Sequence, residues 1–121
     1  MAESKLLVHA IQDVTVVTFR DSTMLDSGVI EAVGLELYAL VDEKAVRKIV
    51  LDFSTVKFLA SQAVGVLITL KKKADAIKGE LAICGMREEI MRVFRIMNLM
   101  KMFRFFENET RALEALHVFT A

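Results

Sequence analysis

The chain has 121 residues, of which 55% are hydrophobic and 26% are charged. Its 16 lysines and arginines balance 16 aspartates and glutamates, so it lacks the basic excess of a dedicated nucleic-acid-binding protein. No apolar run approaches the roughly 18 residues that span a bilayer. These values predict a single domain over residues 1–121 with a sizeable core, no nucleic-acid partner and no membrane insertion.

The first residues and the cysteine content bear on the cellular compartment. Residues 1–5 contain no hydrophobic region of a signal peptide. Cys84 is the only cysteine, which excludes an internal disulfide and a zinc site made of several cysteines. We therefore expect a protein of the reducing cytoplasm.

The chain opens with two predicted strands. Residues 5–9 and 14–19 are rich in apolar and β-branched side chains, and Gln12 and Asp13 form a plausible turn between them. Strands joined by so short a connection form an antiparallel hairpin.

From residue 25 onward, predicted helices alternate with strands. The first helix should begin at Asp26 or Ser27, because either side chain can accept hydrogen bonds from the free N–H groups of the first turn. Its apolar residues recur at helical spacing and predict one buried stripe: Ile30, Val33, Leu37, Leu40 and Val41. The later elements are expected to be a strand at 48–53, a helix at 62–78, a strand at 81–84, a helix at 86–99, a strand at 103–106 and a helix at 109–118. Gly79 should terminate the helix at 62–78, since glycine is favoured just after the end of a helix.

The order of these elements predicts the fold class. It is β-β-α-β-α-β-α-β-α, and strands that alternate with helices form β-α-β units with parallel strands. The strand at 48–53 is almost wholly apolar, as strands covered on both faces are. We therefore predict an α/β fold with a mixed, mostly parallel sheet, an N-terminal antiparallel hairpin and helices packed on the sheet.

No enzyme signature is present in the sequence. The glycine patterns of dinucleotide-binding and phosphate-binding loops, the HExxH zinc motif and the GxSxG nucleophile turn are all absent. His9 and His117 have no acidic partner by spacing, and Cys84 lies in an apolar strand where a thiol is inert. The sequence therefore predicts no catalytic residue, no metal ligand and no cofactor.

Residues 51–67 carry the functional signal. A buried strand ends there, a loop follows that Val56, Phe58 and Leu59 should anchor, and Ser61 occupies the predicted N-cap of the next helix. The free N–H groups and partial positive charge of a helix N-terminus favour an anion such as phosphate. Two interpretations of Ser61 follow: it accepts a phosphate, or it only caps the helix.

The helix after Ser61 carries apolar residues on two sides. One side should pack on the sheet and consists of Ala63, Leu67, Leu70, Ala74 and Ile77. The opposite side is expected to face water and consists of Val64, Gly65, Ile68, Thr69, Lys72 and Asp75. Since Val64 and Ile68 are apolar and lie within two turns of Ser61, they predict a docking surface for a protein.

Two further patches have more than one interpretation. Leu35 and Tyr38 lie off the stripe of the first helix, either as a small self-association patch or as ordinary surface residues. Residues 86–102 contain five of the seven methionines together with basic residues. They form either a membrane or peptide surface, or a segment in which Met97 and Met102 fill the core.

The sequence resembles the STAS domain of bacterial anti-sigma factor antagonists. Residues 58–67, Phe-Leu-Ala-Ser-Gln-Ala-Val-Gly-Val-Leu, are similar to the family's phenylalanine-containing loop followed by Asp-Ser-Ser-Gly-Leu-Gly-Val-Leu. The likeness continues through Leu25-Asp26 and residues 78–84, 93–99 and 103–106, and so covers essentially the whole chain. It implies the STAS fold.

The resemblance also implies a function. In the family, an anti-sigma factor with serine protein kinase activity phosphorylates the serine that matches Ser61. The unmodified antagonist binds that partner and frees a sigma factor, and the modified one lets go. Taken together with the water-facing side of the helix, the resemblance leads us to expect these partner-binding residues: Asp26, Ala60, Ser61, Gln62, Val64, Gly65, Ile68 and Lys72. A monomer or weak dimer is expected.

The motif departs from the family at three positions. Ala60, Gln62 and Ala63 stand where the family has aspartate, the second serine and the first glycine. Two alternatives therefore stay open. One is a STAS scaffold module of a multi-STAS signalling assembly without phosphorylation. The other is an accessory STAS subunit of a lipid-transport complex.

Overall fold

The computed structural model describes residues 4–118, in which eleven elements follow one another. They are β1 (Leu6–Ile11), β2 (Val14–Phe19), β3 (Thr23–Met24), α1 (Ser27–Asp42), β4 (Lys48–Asp52), β5 (Phe58–Leu59), α2 (Ser61–Ala76), β6 (Glu80–Cys84), α3 (Glu88–Ile96), β7 (Arg104–Phe106) and α4 (Glu109–Ala115). The nine elements expected from the sequence are all present, and the short strands β3 and β5 are additional. Residues 1–3, which belong to the segment predicted to lack the hydrophobic region of a signal peptide, lie outside the described residues.

The main sheet has five strands in the order β1-β2-β4-β6-β7. The β1–β2 pair is antiparallel, and the pairs β2–β4, β4–β6 and β6–β7 are parallel. Gln12 adopts a left-handed φ of 56° in the turn of the hairpin, as such tight turns require. The predicted mixed, mostly parallel sheet is therefore confirmed.

Helices cover both faces of the sheet. Because successive strand residues point to opposite faces, the residues of a central strand contribute alternately to the two cores. In β4, Ile49 and Leu51 join the core beneath α1, α2 and α3, whereas Val50 faces the smaller core beneath α4. All three are fully buried, which explains why the middle of β4 is apolar on both faces. The predicted stripe of α1 is buried throughout: Ile30, Val33, Leu37, Leu40 and Val41.

Helix α3 is shorter than the sequence predicted. Ile90 and Phe94 are buried on its inner side, and Phe94 meets the rings of Phe103 and Phe105 edge-on, with centroids 5.6 and 5.4 Å apart. The expectation that Met97 fills the core is wrong, because the helix ends at Ile96 and Met97 lies in the turn with 41% of its surface exposed.

Gly79 does not terminate α2 in the expected way. The helix ends at Ala76, and the left-handed residue after it is Lys78, with a φ of 57°. Gly79 is instead required by a close approach of two backbone segments, since a Cβ there would lie 2.5 Å from the carbonyl oxygen of Arg47. The glycine therefore serves the packing of the α2–β6 connection against the segment before β4.

No helix of residues 4–118 has both the length and the apolarity to cross a membrane. Within the same residues, no group of three or more histidines, cysteines, aspartates and glutamates has the arrangement of a metal site.

Candidate functional site

The small sheet of β3 and β5 brings the beginnings of two helices together. The two strands pair in parallel, with Thr23 opposite Phe58 and Met24 opposite Leu59. The Ala60 N–H donates a 2.8 Å hydrogen bond to the Met24 carbonyl oxygen, which continues this pairing to the last residue before α2. Since α1 follows β3 and α2 follows β5, the N-termini of α1 and α2 lie next to each other.

The two helix N-termini differ in their caps. Asp26 is the N-cap of α1, and its Oδ1 accepts a 3.1 Å hydrogen bond from the Val29 N–H, as predicted. The N-cap of α2 is Ala60, which has no side-chain acceptor. The prediction that Ser61 is the N-cap is therefore wrong: the helix starts one residue earlier, and Ser61 is its first residue.

This position leaves the Ser61 hydroxyl available. Ser61 is exposed, and its hydroxyl makes no hydrogen bond to any other residue within 4–118. The N–H groups of a helical first turn have no partner inside the helix and carry a partial positive charge. The hydroxyl thus stands beside an uncapped helix N-terminus, where a phosphate is electrostatically favoured.

Gln62 links the two helices at this point. Its side-chain Nε2 donates a 3.4 Å hydrogen bond to the Ser27 hydroxyl at the start of α1. Asp26, Ala60, Ser61 and Gln62, which the sequence placed in the same site, are therefore brought together by the fold.

Val64 contradicts the predicted docking surface. Its exposed fraction is 0%, and it belongs to the main core. At about 100° per residue, Val64 lies only about 60° around the helix from Leu67, within the buried arc of α2. Ile68, on the edge of that arc, is half-buried, whereas Gly65, Thr69, Lys72 and Asp75 are exposed as expected.

Two exposed apolar side chains border the site, although the sequence analysis did not assign them to it. Leu25 and Phe58 are each 58% exposed. Phe58 was expected to anchor the loop, but neighbouring strand residues point to opposite sides, and Leu59 is the one that packs against the core. We call the group of Leu25, Asp26, Phe58, Ser61, Gln62 and Gly65 the junction surface.

A family model described as the STAS domain matches residues 5–112. The chain belongs to the STAS domain family. It is 26% identical over 103 residues to the anti-sigma F factor antagonist of Paenibacillus polymyxa, with 85% of this chain and 88% of that protein aligned. It is 29% identical over 80 residues to BtrV of Bordetella bronchiseptica, which bears the description anti-sigma factor antagonist, over 66% of this chain and 68% of that protein.

Solved structures share the STAS fold of this chain. An anti-sigma-factor antagonist (STAS) domain protein of Planctomyces limnophilus superimposes with a TM-score of 0.83 and 20% identity, over 95% of this chain and 99% of that one. The Bacillus protein SpoIIAA in its phosphorylated form gives a TM-score of 0.72 and 16% identity, over 93% and 99%. At these identities the likeness establishes the fold, and it confirms the fold class predicted from the sequence.

Gly65 is the glycine of the STAS motif that the sequence retains. A Cβ built there would meet nothing within 4 Å, and its neighbourhood within the described residues is open. Packing inside the domain therefore does not require this glycine. Its bare backbone is exposed and lies one turn after Ser61.

Proposed function

We propose that this STAS protein is an anti-sigma factor antagonist that binds its anti-sigma factor through the junction surface and releases it when Ser61 is phosphorylated. One observation carries this proposal. The exposed Ser61 hydroxyl has no partner within residues 4–118, stands at the uncapped N-terminus of α2, and is bordered by exposed Leu25 and Phe58.

The class of partner comes from the relatives. Two of them, at 26% and 29% identity, bear the description anti-sigma factor antagonist. The proposed partner is accordingly an anti-sigma factor. From the likeness of residues 58–67 to the STAS motif, we further propose that this partner has serine protein kinase activity and meets this chain in the cytoplasm. This chain acts by sequestering that partner and performs no chemistry of its own.

The proposed contact residues follow from exposure. Ser61, Gln62, Gly65 and Lys72 are exposed, and Ala60 and Ile68 are half-buried, so each offers surface to a partner. Asp26 is also exposed, so a partner can reach its carboxylate, one oxygen of which caps α1. Val64 is excluded because it is buried, and Leu25 and Phe58 replace it as the apolar part of the contact.

The switch follows from the charge of the phosphate. Phosphorylation adds about −1.5 to −2 charges and three strong acceptor oxygens. The free N–H groups at the start of α2 can donate hydrogen bonds to the phosphate oxygens, so the domain stays folded. A partner that covers Leu25 and Phe58 would have to remove water from the phosphate, which is costly. The phosphate would also repel any acidic group that the partner places there.

The test uses the cognate anti-sigma factor, ATP and mass spectrometry. We expect a single phosphate on Ser61, with Ser61→Ala unmodified. Ser54→Ala is the matched control, since Ser54 is an exposed serine on the loop before β5. After modification, the affinity measured by calorimetry should fall at least tenfold.

Three outcomes would contradict parts of this proposal. Phosphate on Ser54 with Ser61 unmodified would reject Ser61 as the acceptor. Tight binding that survives phosphorylation of Ser61 would reject the switch. Binding without any phosphorylation would favour the alternative of a STAS module that does not switch.

A further inference from the structure

Two apolar side chains outside the junction surface are strongly exposed. Ile96 at the end of α3 is 78% exposed and Leu35 on α1 is 72% exposed, the highest values for large hydrophobic residues within 4–118. They lie towards opposite edges of the main sheet. The Phe94 ring of α3 packs on Phe105 of edge strand β7. At the other edge, the backbone N–H of Lys5, just before strand β1, donates a 2.7 Å hydrogen bond to the Glu36 carboxylate of α1.

The surroundings of Ile96 are basic. Residues 90–106 contain four basic residues and no acidic residue: Arg92, Arg95, Lys101 and Arg104. Arg95 pairs with Glu88 and Arg104 lies 3.7 Å from Glu80, whereas Arg92 and Lys101 form no ion pair within the described residues. Arg92 lies one turn before Ile96 on the same side of α3. We call Arg92, Ile96, Met97 and Lys101 the basic knob.

The surroundings of Leu35 are a groove with an acidic edge. A shallow cavity of about 280 Å³ between α1 and α2 is lined by Ile30, Glu31, Gly34, Leu35, Tyr38, Gln62 and Val66. Helix α1 carries Glu31, Glu36 and Asp42 and no basic residue. Glu36 is bound to Ser4 and Lys5, and Asp42 pairs with Lys73 at 2.8 Å, so Glu31 is the carboxylate left without an ion pair in the described part of α1.

We propose that the α1–α2 groove of one molecule receives the basic knob of a second copy of this chain. Ile96 would enter the apolar groove beside Leu35 and Tyr38. Arg92 and Lys101 would then approach Glu31, and their opposite charges would orient the contact. The groove and the knob are different surfaces of one molecule, so each contact leaves one groove and one knob free. Such a contact is head-to-tail and extends to rings or chains.

The charges disfavour the two symmetric alternatives. A groove placed on a second groove would bring Glu31 towards Glu31. A knob placed on a second knob would bring Arg92 and Lys101 towards the same residues of the partner copy. Like charges across a contact are repulsive, so the complementary arrangement is the one in which the knob meets the groove.

The contact is weak because it is small. Two patches of a few apolar side chains bury less than the roughly 1,200 Å² of a stable interface. We therefore expect association between about 10 µM and 1 mM protein. It should weaken with added salt, since rim charges contribute to it.

The test uses two variants of the full chain, Leu35→Asp in the groove and Ile96→Asp in the knob. Each alone should be a monomer by sedimentation equilibrium at concentrations at which the wild type associates. Mixed in equal amounts they should form a 1:1 dimer, because Leu35→Asp retains an intact knob and Ile96→Asp retains an intact groove. Leu7→Asp, in a half-exposed residue of β1, is the control and should associate like the wild type. Melting temperatures establish that each variant is folded.

Several results would overturn the proposal. A wild type that stays monomeric to about 1 mM contradicts it, and so does association that survives both substitutions. A mixture of the variants that remains monomeric would exclude a head-to-tail contact. Binding of the monomeric wild type to phosphatidylserine vesicles, lost in Ile96→Asp, would replace the second copy by an anionic membrane.

Discussion

The side-chain amide of Gln62 donates a hydrogen bond of 3.4 Å to the hydroxyl of Ser27, 35 residues earlier in the chain, and so joins the first turns of α2 and α1. The pairing of β3 with β5, the strands that precede α1 and α2, holds the same two turns next to each other. The proposed binding surface is therefore composed of two helix beginnings, and its geometry depends on how each helix starts.

The cap of α1 gives the first prediction. Replacing Asp26 by alanine removes the acceptor of the Val29 N–H and should lower the free energy of unfolding by about 1 kcal/mol, the usual cost of losing an N-cap side chain. Asp26→Asn keeps an acceptor at the same place and should cost much less. Urea unfolding of both variants provides the measurement, and equal losses in the two would show that the cap is not the cause.

The second prediction concerns two neighbouring residues of α2. Val64→Ala removes buried methyl groups from the core and should cost on the order of 1–3 kcal/mol of unfolding free energy. Gly65→Ala adds a methyl group where nothing lies within 4 Å and should gain roughly 0.5–1 kcal/mol, because alanine is the better helix former.

The same pair separates stability from binding. Because a protein that docks closely over Gly65 would meet the added methyl group, Gly65→Ala should weaken binding of the anti-sigma factor while it stabilises the domain. Val64→Ala should leave the affinity nearly unchanged at a temperature where it is folded. Unchanged affinity in Gly65→Ala would remove this residue from the proposed contact.

The sequence was sufficient for the parts of the fold that have a clear hydrophobic pattern. The apolar residues of α1 recur at helical spacing, those in the middle of β4 form an uninterrupted run, and both sets are buried in the structure. The two-residue strands β3 and β5 are too short to have a period, so the element that joins the two helix beginnings was not predictable. Ser61 was placed in the right turn of α2 but one residue off, because Ala60 gives no capping signal.

The surface of α2 was harder to predict than its core. The side of α2 that packs on the sheet was identified from spacing alone, but the width of the buried arc depends on what packs beside the helix. Val64 lies at the edge of that arc and is fully buried, while Phe58, expected inside, is exposed. Both errors have the same cause: the burial of these two side chains depends on neighbouring elements, and the local sequence pattern carries no information about those elements.

The third prediction is a pH dependence. Burial, with a smaller contribution from the Asp52 carboxylate, raises the pKa of the Cys84 thiol from its usual 9.0 to about 12. The folded state therefore keeps the proton that the unfolded state loses above about pH 9. The stabilisation is fully present below pH 9 and is lost as the pH rises towards 12.

Cys84→Ala isolates this effect from the lysines and the tyrosine, which titrate in both proteins. The unfolding free energy of the wild type should fall more steeply than that of Cys84→Ala between pH 9 and 11. In addition, a thiol reagent at pH 8 should modify Cys84 in urea but hardly at all in buffer. Equal slopes together with rapid modification of the folded protein would show that the thiol is accessible.

The fourth prediction concerns Ala60, which stands where the STAS motif has aspartate. Ala60 is the N-cap of α2 and has no side-chain acceptor. An aspartate at this position can accept a hydrogen bond from a free N–H group of the first turn, and its charge is favourable at a helix N-terminus. Ala60→Asp should therefore raise the unfolding free energy by about 0.5–2 kcal/mol, the reverse of Asp26→Ala.

The same substitution tests why Ser61 is flanked by an alanine. If the anti-sigma kinase recognises an acidic residue before the acceptor, Ala60→Asp should increase the initial rate of phosphorylation at Ser61, with Ser61→Ala as the blank. Ala60→Asn is the matched control, because it also caps the helix but carries no charge. A faster rate in both variants would assign the effect to the better-ordered helix start, and a faster rate in Ala60→Asp alone would assign it to the charge. An unchanged or slower rate in Ala60→Asp, despite the expected gain in stability, would mean that the partner of this protein is matched to alanine. Recognition would then rest on the exposed Leu25 and Phe58 and on the bare backbone at Gly65.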